Sequence, residues 1–473
     1  MRALSGSLLW LALAAGLTAC GGGNLTPSSP VAAGAPAQRS HRHSGSSPIE
    51  HVVLIIQENR TFNNFFATYP GADGSTTGKV VPNSYCGFAS EQTIKLKESG
   101  LITNYGSPPA PHDLTHEYNN GYRIARDNGA MDGFDLIKFD NGAGLPECTF
   151  PYQYTNPNDI KPYWDMAKQY ALAEHMFTTQ GSSSFTAHQD LIAGDTVISA
   201  NQALVDLPSC SGSKCIWGCD AQKNTHTSLI TSDDQYEAGK GPFPCLTYPT
   251  IRDSLDAKNV TWRYYVPQMC CSAFGKLLSA FDAIKAVRYG SEWGDGHIST
   301  PQTNIFTDIT NNQLQAVSWV IPDENASDHP GTSSDTGPSW VSSVVNAIGE
   351  SSYWNSTAII IVWDDWGGLY DNLNPPQHTF GGLGFRVPAL IISPYAKPGY
   401  ISTTQYEFGS ILKYIEQNWD LKPLKRTDQE ANSIADSFNY QQTPIPFKPI
   451  KSKYSKAYIL SQRPSNLPPD TDF

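Results

Sequence analysis

Large apolar residues fall into short, nearly continuous runs along this chain, of which His51-Val52-Val53-Leu54-Ile55-Ile56 is the clearest. A strand covered on both faces needs such a run, because neither of its alternating rows of side chains meets water. Residues 260–266, 316–321, 358–362 and 387–392 repeat the pattern and predict four further strands. Helices are predicted at 338–348, between two of these strands, and at 408–419, after the last. Strands alternating with helices predict an α/β fold, a mostly parallel sheet with helices on both faces. Order is expected to begin at Ile49 and to continue as one large domain over 49–440. The polar segment 195–258, which holds four cysteines, reads as an insertion. Six prolines from Gln441 onward make a compact helix unfavourable, so 441–473 is expected to be an extension that packs along the surface.

Composition narrows the class. With 473 residues, 39% of them hydrophobic, the chain can bury a large core. Only 16% are charged, which excludes a coiled coil, and 11% aromatics excludes a disordered chain. The net charge of −12 and the lack of a long Lys/Arg block exclude a nucleic-acid partner.

At the start of the chain, Arg2 precedes an apolar stretch from Leu8 to Ala19 that is too short to span a bilayer, so 1–19 reads as an export signal. Leu17-Thr18-Ala19-Cys20 resembles the lipobox of bacterial lipoproteins, in which the cysteine is acylated. An ordinary signal cut nearby is the alternative, and either way the protein is expected in the periplasm or at the cell surface, membrane-anchored if Cys20 carries lipid. Residues 20–48, rich in Gly, Ser, Ala and Pro, read as a flexible tether. Apart from Cys20, eight of the nine cysteines remain: Cys86, Cys148, Cys210, Cys215, Cys219, Cys245, Cys270 and Cys271. Disulfides are expected in an oxidising compartment. A zinc knuckle at Cys210, Cys215, Cys219 and Cys245 is the competing reading, weakened by the absence of a C-x2-C pair.

Chemistry in open α/β sheets gathers where strands end. The first run leads into Glu58-Asn59-Arg60, and 358–362 leads into Trp363-Asp364-Asp365-Trp366-Gly367-Gly368. If Glu58, Asp364 and Asp365 meet at one edge, their mutual repulsion calls for a cation, and oxygen donors with the Asn59 carboxamide suit a divalent metal. Helix capping, or pairing with Arg60, is the plainer alternative.

These residues also carry a resemblance. Glu58-Asn59-Arg60-Thr61-Phe62-Asn63-Asn64-Phe65-Phe66 is similar to the opening motif of the bacterial phosphoesterase family that contains acid phosphatases and phospholipases C. Asp113-Leu114-Thr115-His116, Met131-Asp132-Gly133-Phe134, Asp328-His329-Pro330 and Trp363-Asp364-Asp365-Trp366-Gly367-Gly368-Leu369-Tyr370-Asp371 resemble its later motifs, in the family's order. The resemblance implies an alkaline-phosphatase-like α/β fold and phosphoryl transfer through a covalent phosphoserine or phosphothreonine, with a phosphate ester as substrate. Ser182-Ser183-Ser184, ahead of Leu191-Ile192-Ala193-Gly194, matches the nucleophile turn and implies Ser184. The family's Gly-Pro is replaced by Ser182-Ser183, which leaves Ser183 as an alternative; a mere helix cap is the plainer reading. By the same resemblance Glu58, Asn59, Ser184, Asp364 and Asp365 would hold one or more divalent metal ions, and His116 and His329 would contact the phosphoryl group. His112 and His188 are weaker candidates, His188 because it lies four residues beyond Ser184 on one helical face. Asn372 stands where the family usually has a histidine. Asp364-Asp365-Trp366 resembles the phosphatase branch, so a phosphomonoesterase is favoured over a phospholipase C. A surface lipoprotein with a degraded site is the third reading, and its expected mark, loss of Ser184 or of the acidic ligands, is absent.

Overall fold

In the computed structural model, which describes residues 47–102, 114–139, 145–209, 217–268 and 279–463, the apolar runs become strands of one eight-stranded sheet. In chain order these are β1 (His51–Gln57), β2 (Ala171–Ala173), β3 (Trp262–Tyr265), β4 (Ile298–Ser299), β5 (Val317–Val320), β6 (Thr357–Trp363), β7 (Ala389–Ile392) and β8 (Tyr400–Ser402). Across the sheet the order is β4-β3-β5-β1-β6-β7-β2-β8. β1 is central, in parallel register with β6 from His51 opposite Thr357 to Gln57 opposite Trp363, and with β5 on its other side. From Val52 to Gln57 and along all of β6 every residue is buried, as continuous runs require. All described residues belong to one unit, His43–Phe473. The signal, Cys20, His112, Asp113, Cys210, Cys215, Cys270 and Cys271 lie outside the described residues, as do all but the last two residues of the tether.

β7 is antiparallel to both of its neighbours and runs against the other seven strands. Parallel strands need a crossover, usually a helix, to bring the chain back. Between β6 and β7 there is no helix, so the chain turns at the carboxyl edge and returns in the opposite sense. The strands absent from the sequence reading, β2, β4 and β8, have three, two and three residues, too few for a periodic signal.

Six helices matter here: α1 (Phe62–Phe66), α2 (Lys161–Gln169), α3 (Ser184–Ala193), α4 (Ile251–Ala257), α5 (Gly337–Gly349) and α6 (Phe408–Trp419). α2 packs on α5, while α6 and α4 both pack on α3. Their apolar sides join the strands in the main hydrophobic core. A second, smaller core forms from Leu114, Tyr118, Tyr122, Phe134, Tyr152, Trp366, Tyr370 and Phe385 with Ala203, Val205 and Ile230. The last three come from a separate antiparallel sheet, Val197–Ser199, Gln202–Val205, Ser228–Thr231 and Tyr236–Glu237, inside the polar segment.

Cys86 is bonded to Cys148, and Cys219 to Cys245. The zinc knuckle is therefore set aside for Cys219 and Cys245, whose sulfurs are used in their own bond. Beyond Gln441 the chain lies along the surface: Ile445 N–H donates to Pro394 O (2.8 Å), and Asn346 exchanges two hydrogen bonds with Ile450. One correction is needed, since Lys456–Ser461 is a short helix, capped by Ser455, which accepts from Tyr458 N. The six residues lie between the prolines at 449 and 464, in a stretch without a helix breaker.

Candidate active site

Three carboxylates and a carboxamide leave the carboxyl ends of the two central strands. β1 ends at Gln57, and Glu58 and Asn59 follow; β6 ends at Trp363, and Asp364 and Asp365 follow. All four side chains are fully buried. Asn59 takes a left-handed φ of 56°, and its N–H donates to Asp364 Oδ1 (2.9 Å), which locks one strand end onto the other. Asp364 Oδ1 also accepts from Asp365 N (2.7 Å), and Asp365 Oδ1 from Gly367 N (2.9 Å). Gly367 lies so close to Asn59 that an added Cβ would sit 2.3 Å from Asn59 O, so only glycine allows this contact.

Helix α3 brings the hydroxyl. It starts at Ser184, preceded by extended Ser183, and every one of its ten residues is buried. Ser184 Oγ donates to Asp365 Oδ2 at 3.1 Å and lies 3.4 Å from Asn59 Oδ1. Ser183 makes no capping bond and its Oγ has no hydrogen-bond partner, whereas Ser182 Oγ receives Asp206 N (2.7 Å) and Thr186 Oγ1 (2.7 Å). Of the three serines, Ser184 is the one whose hydroxyl bonds to the groups at the strand ends.

Two histidines close over Asn59. Its Nδ2 lies 3.2 Å from His116 Nε2 and 3.1 Å from His329 Nε2. His116 Nδ1 is 2.7 Å from Leu114 O, and His329 Nδ1 is 2.6 Å from Pro330 O. A carbonyl oxygen can only accept, so each Nδ1 carries a proton and each Nε2 faces the site as an acceptor for the Asn59 amide. His116 Nε2 is also 3.6 Å from Asp365 Oδ2. Trp366 fixes the His116 backbone by donating its indole N–H to His116 O (3.0 Å). The neighbouring Asp328, with φ 69°, holds the His329 turn: its Oδ2 accepts from Tyr163 Oη (2.5 Å) and Gln57 Nε2 (3.1 Å), and its backbone O from Arg60 Nε (2.8 Å).

On the other side of Asp364 lies His188. Its Nε2 is 3.1 Å from Glu58 Oε1 and 3.7 Å from Asp364 Oδ2. One donor atom from each of Glu58, His188 and Asp364 can be chosen so that all lie within 4.8 Å of one another. Burial, and then the Glu58 carboxylate, push Asp364 up to about 8. Burial likewise lowers the pKa of His188, an effect that Asp364 opposes, so the imidazole is neutral and able to ligate. Asp364 and Glu58 are both fully buried, so their charges have no water to screen them. Buried carboxylates at this spacing are strongly destabilised unless a cation joins them, and this donor set fits a divalent metal.

The residues singled out in the sequence therefore come together: Glu58, Asn59, Ser184, Asp364 and Asp365, with His116 and His329 on one side. His188, a weak candidate in the sequence, stands in the cluster best arranged for a cation; its spacing of four from Ser184 was the available signal. Asn372 turns elsewhere. Its Oδ1 accepts from Arg386 Nη2 (2.8 Å), and that guanidinium is also paired with Asp371 (2.9 Å). Sequence reasoning missed the supports, namely Trp366 beneath His116, and Asp206, which accepts from Tyr118 N (2.6 Å) and grips Ser182.

Fold and site together define a mostly parallel α/β protein that sets a buried hydroxyl at the carboxyl edge beside a carboxylate and imidazole cluster suited to a divalent metal. The model of the Phosphoesterase family matches residues 49–422, and the chain belongs to that family. It is 25% identical to a non-hemolytic phospholipase C of Pseudomonas aeruginosa, over 93% of this chain and 64% of that protein, so it spans less than two thirds of that relative's length. It is 22% identical to phospholipase C A of Mycobacterium tuberculosis (85% of this chain, 79% of the relative) and to non-specific phospholipase C4 of Arabidopsis thaliana (83% and 72%). A solved member of the alkaline phosphatase superfamily from Vibrio parahaemolyticus overlays 58% of this chain and 65% of its own at 12% identity and a TM-score of 0.33, too loosely to define topology. Among the described residues no helix is long and apolar enough to cross a membrane.

Proposed function

We propose that the protein hydrolyses phosphoric esters through a phosphoserine at Ser184. The observation that carries this reading is the Ser184 hydroxyl at 3.1 Å from Asp365 Oδ2, at the N-terminus of a buried helix and beside the cation-ready cluster. As the Oγ–P bond forms, the hydroxyl proton passes to Asp365 and the bond from phosphorus to the leaving oxygen breaks. The leaving oxygen takes a proton from Nε2 of His116 or His329, once that nitrogen has exchanged the Asn59 amide hydrogen bond for a second proton, and unpaired amides in the first turn of α3 receive the phosphoryl oxygens. Water then attacks the phosphoserine, gives its proton to the same imidazole, and releases the phosphate group while Ser184 regains its proton from Asp365. Glu58, Asn59, Asp364 and Asp365, with Ser184, would hold a divalent metal, which would lower the hydroxyl pKa and offset the phosphoryl charge. Acid quenching during turnover followed by peptide mass spectrometry should find phosphate on Ser184; phosphate on Ser183 would move the assignment, and none on either would reject it.

For the substrate we propose the phosphodiester headgroup of a lipid, because the relatives named above are phospholipases C. The resemblance of Asp364-Asp365-Trp366 to phosphatases weighs little against this, since the Trp366 side chain is fully buried beneath His116 and packs on Phe134 and Phe385. A phosphocholine diester assayed beside a chromogenic monoester, after metal stripping and reloading, separates the two; a clear preference for the monoester overturns the diester reading. Export with lipid anchoring at Cys20 rests on the Leu17 to Cys20 resemblance. Cys20→Ser should abolish labelling by a fatty-acid analogue and the membrane-fraction signal, and unchanged labelling would refute it.

A further inference from the structure

The cation-ready cluster contains one nitrogen. His188 lies one helical turn after Ser184, so α3 presents a hydroxyl and an imidazole to one pocket from a single rigid segment. Metal–ligand bonds of about 2.1 Å at angles near 90–110° place donor atoms about 3.0–3.4 Å apart. His188 Nε2 at 3.1 Å from Glu58 Oε1 and 3.7 Å from Asp364 Oδ2 falls within a few tenths of an ångström of that spacing. A hydrogen bond from His188 to Glu58 alone would account for the shorter distance. It would not account for Asp364 Oδ2, a second buried carboxylate oxygen drawn to 3.7 Å from the same nitrogen. His188 Nδ1 makes no hydrogen bond, so the ring is held by packing and by what Nε2 meets.

Building on the metal reading of the site, we infer that His188 Nε2 is a direct ligand of the divalent cation bound by Glu58 and Asp364, and that this nitrogen selects a borderline ion, Mn(II), Fe(II), Co(II) or Zn(II), over Mg(II) or Ca(II). Magnesium and calcium favour oxygen shells, whereas an imidazole suits the transition ions. The choice of metal is thus written into the nucleophile helix.

The test uses full-length protein in detergent, stripped with chelator and titrated by calorimetry with Mg(II), Ca(II), Mn(II), Co(II) and Zn(II) separately. Co(II) and Zn(II) should bind at least about 100-fold more tightly than Mg(II) or Ca(II). Pulsed EPR of the Mn(II) form should show a nitrogen coupling that changes on 15N-histidine labelling and disappears in His188→Gln while Mn(II) stays bound. Should His188→Gln fail to fold, the same coupling must survive in the His116→Gln/His329→Gln double variant. No histidine coupling in the wild type, a coupling unaltered in His188→Gln, or Mg(II) bound as tightly as Co(II) overturns the inference while the metal centre stands. Failure of every ion to bind overturns both.

Discussion

The core around the sheet and the core above its carboxyl edge are built differently. The first is dominated by Val, Ile and Leu contributed by whole strands, such as Val52 to Ile56 and Ala358 to Val362. The second is richer in aromatic side chains, Tyr118, Tyr122, Phe134, Tyr152, Trp366, Tyr370 and Phe385, which come from loops and short turns distant in sequence and pack with a few aliphatic strand residues. Aliphatic strands give a stiff platform that can hold buried charges at fixed spacing. Aromatic loops bring large contact area and polar handles, as when Trp366 packs edge-on to Phe134 (5.9 Å between centroids) and donates to His116 O. The site lies on the seam, with carboxylates from the platform and His116 from the aromatic side.

The sharpest way to break this division is at the hydroxyl between the two halves. Ser184→Ala should lose several orders of magnitude in kcat, at least ~4 kcal/mol in the barrier, with its melting temperature nearly unchanged. Single-turnover kinetics with calorimetry checks this, and an active variant refutes the nucleophile. Next, Asp364→Asn strikes the platform: metal content and activity should fall together, and full occupancy by elemental analysis would count against the metal site. On the aromatic side, Trp366→Phe keeps the ring packing but takes the donor from His116 O. We expect kcat to drop about 10- to 100-fold with metal content intact and about 1–2 kcal/mol of stability lost. If metal content falls as well, the two halves are not separable.

The smallest effect lies away from the seam. Glu416 on α6 is only 5% exposed, and burial pushes its carboxyl up to about 8 from an ordinary 4.5. A raised carboxyl pKa means that the folded state holds the proton more tightly than the unfolded chain. Stability is therefore full below the unfolded value and falls as the pH rises through the folded one. Glu416→Gln should raise the melting temperature above pH 8, change it little near pH 4.5, and leave kcat alone; an equal shift at both pH values would show that charge is not the cause.

The same contrast decides what could be read in the sequence. β1, β5, β6 and α6 were legible because each carries its own periodic signal, and Phe408–Trp419 matches its expected bounds. The strand ends were legible too, since Glu58, Asp364 and Asp365 follow directly from strands already found. The reversal of β7 was not, because strand direction depends on how the connection runs and its apolar run carries no mark of it. Nor was the support of His116: its backbone and Trp366 meet only through a fold that brings together segments 250 residues apart. His188 stood between these cases, given by helical spacing, but its carboxylate neighbours come from two distant strands.

The reversal of β7 has a consequence for how such a protein can change over time. Because β6 and β7 open and close at the same edge, residues 364–388 form an excursion whose two ends are anchored on one side of the sheet. Lengthening it would not rethread any strand, and each doubling of a flexible loop costs only about 0.6 kcal/mol. Asp364 and Asp365 sit at its first step, pinned by Asn59 and Gly367, and Arg386, buried and paired with Asp371, ties down its far end. Tyr370 and Phe385 bury both flanks of this stretch in the aromatic core, so only its exposed middle, residues 377–379, is free to change in length. An insertion there leaves both clamps, and the carboxylates they fix, in place.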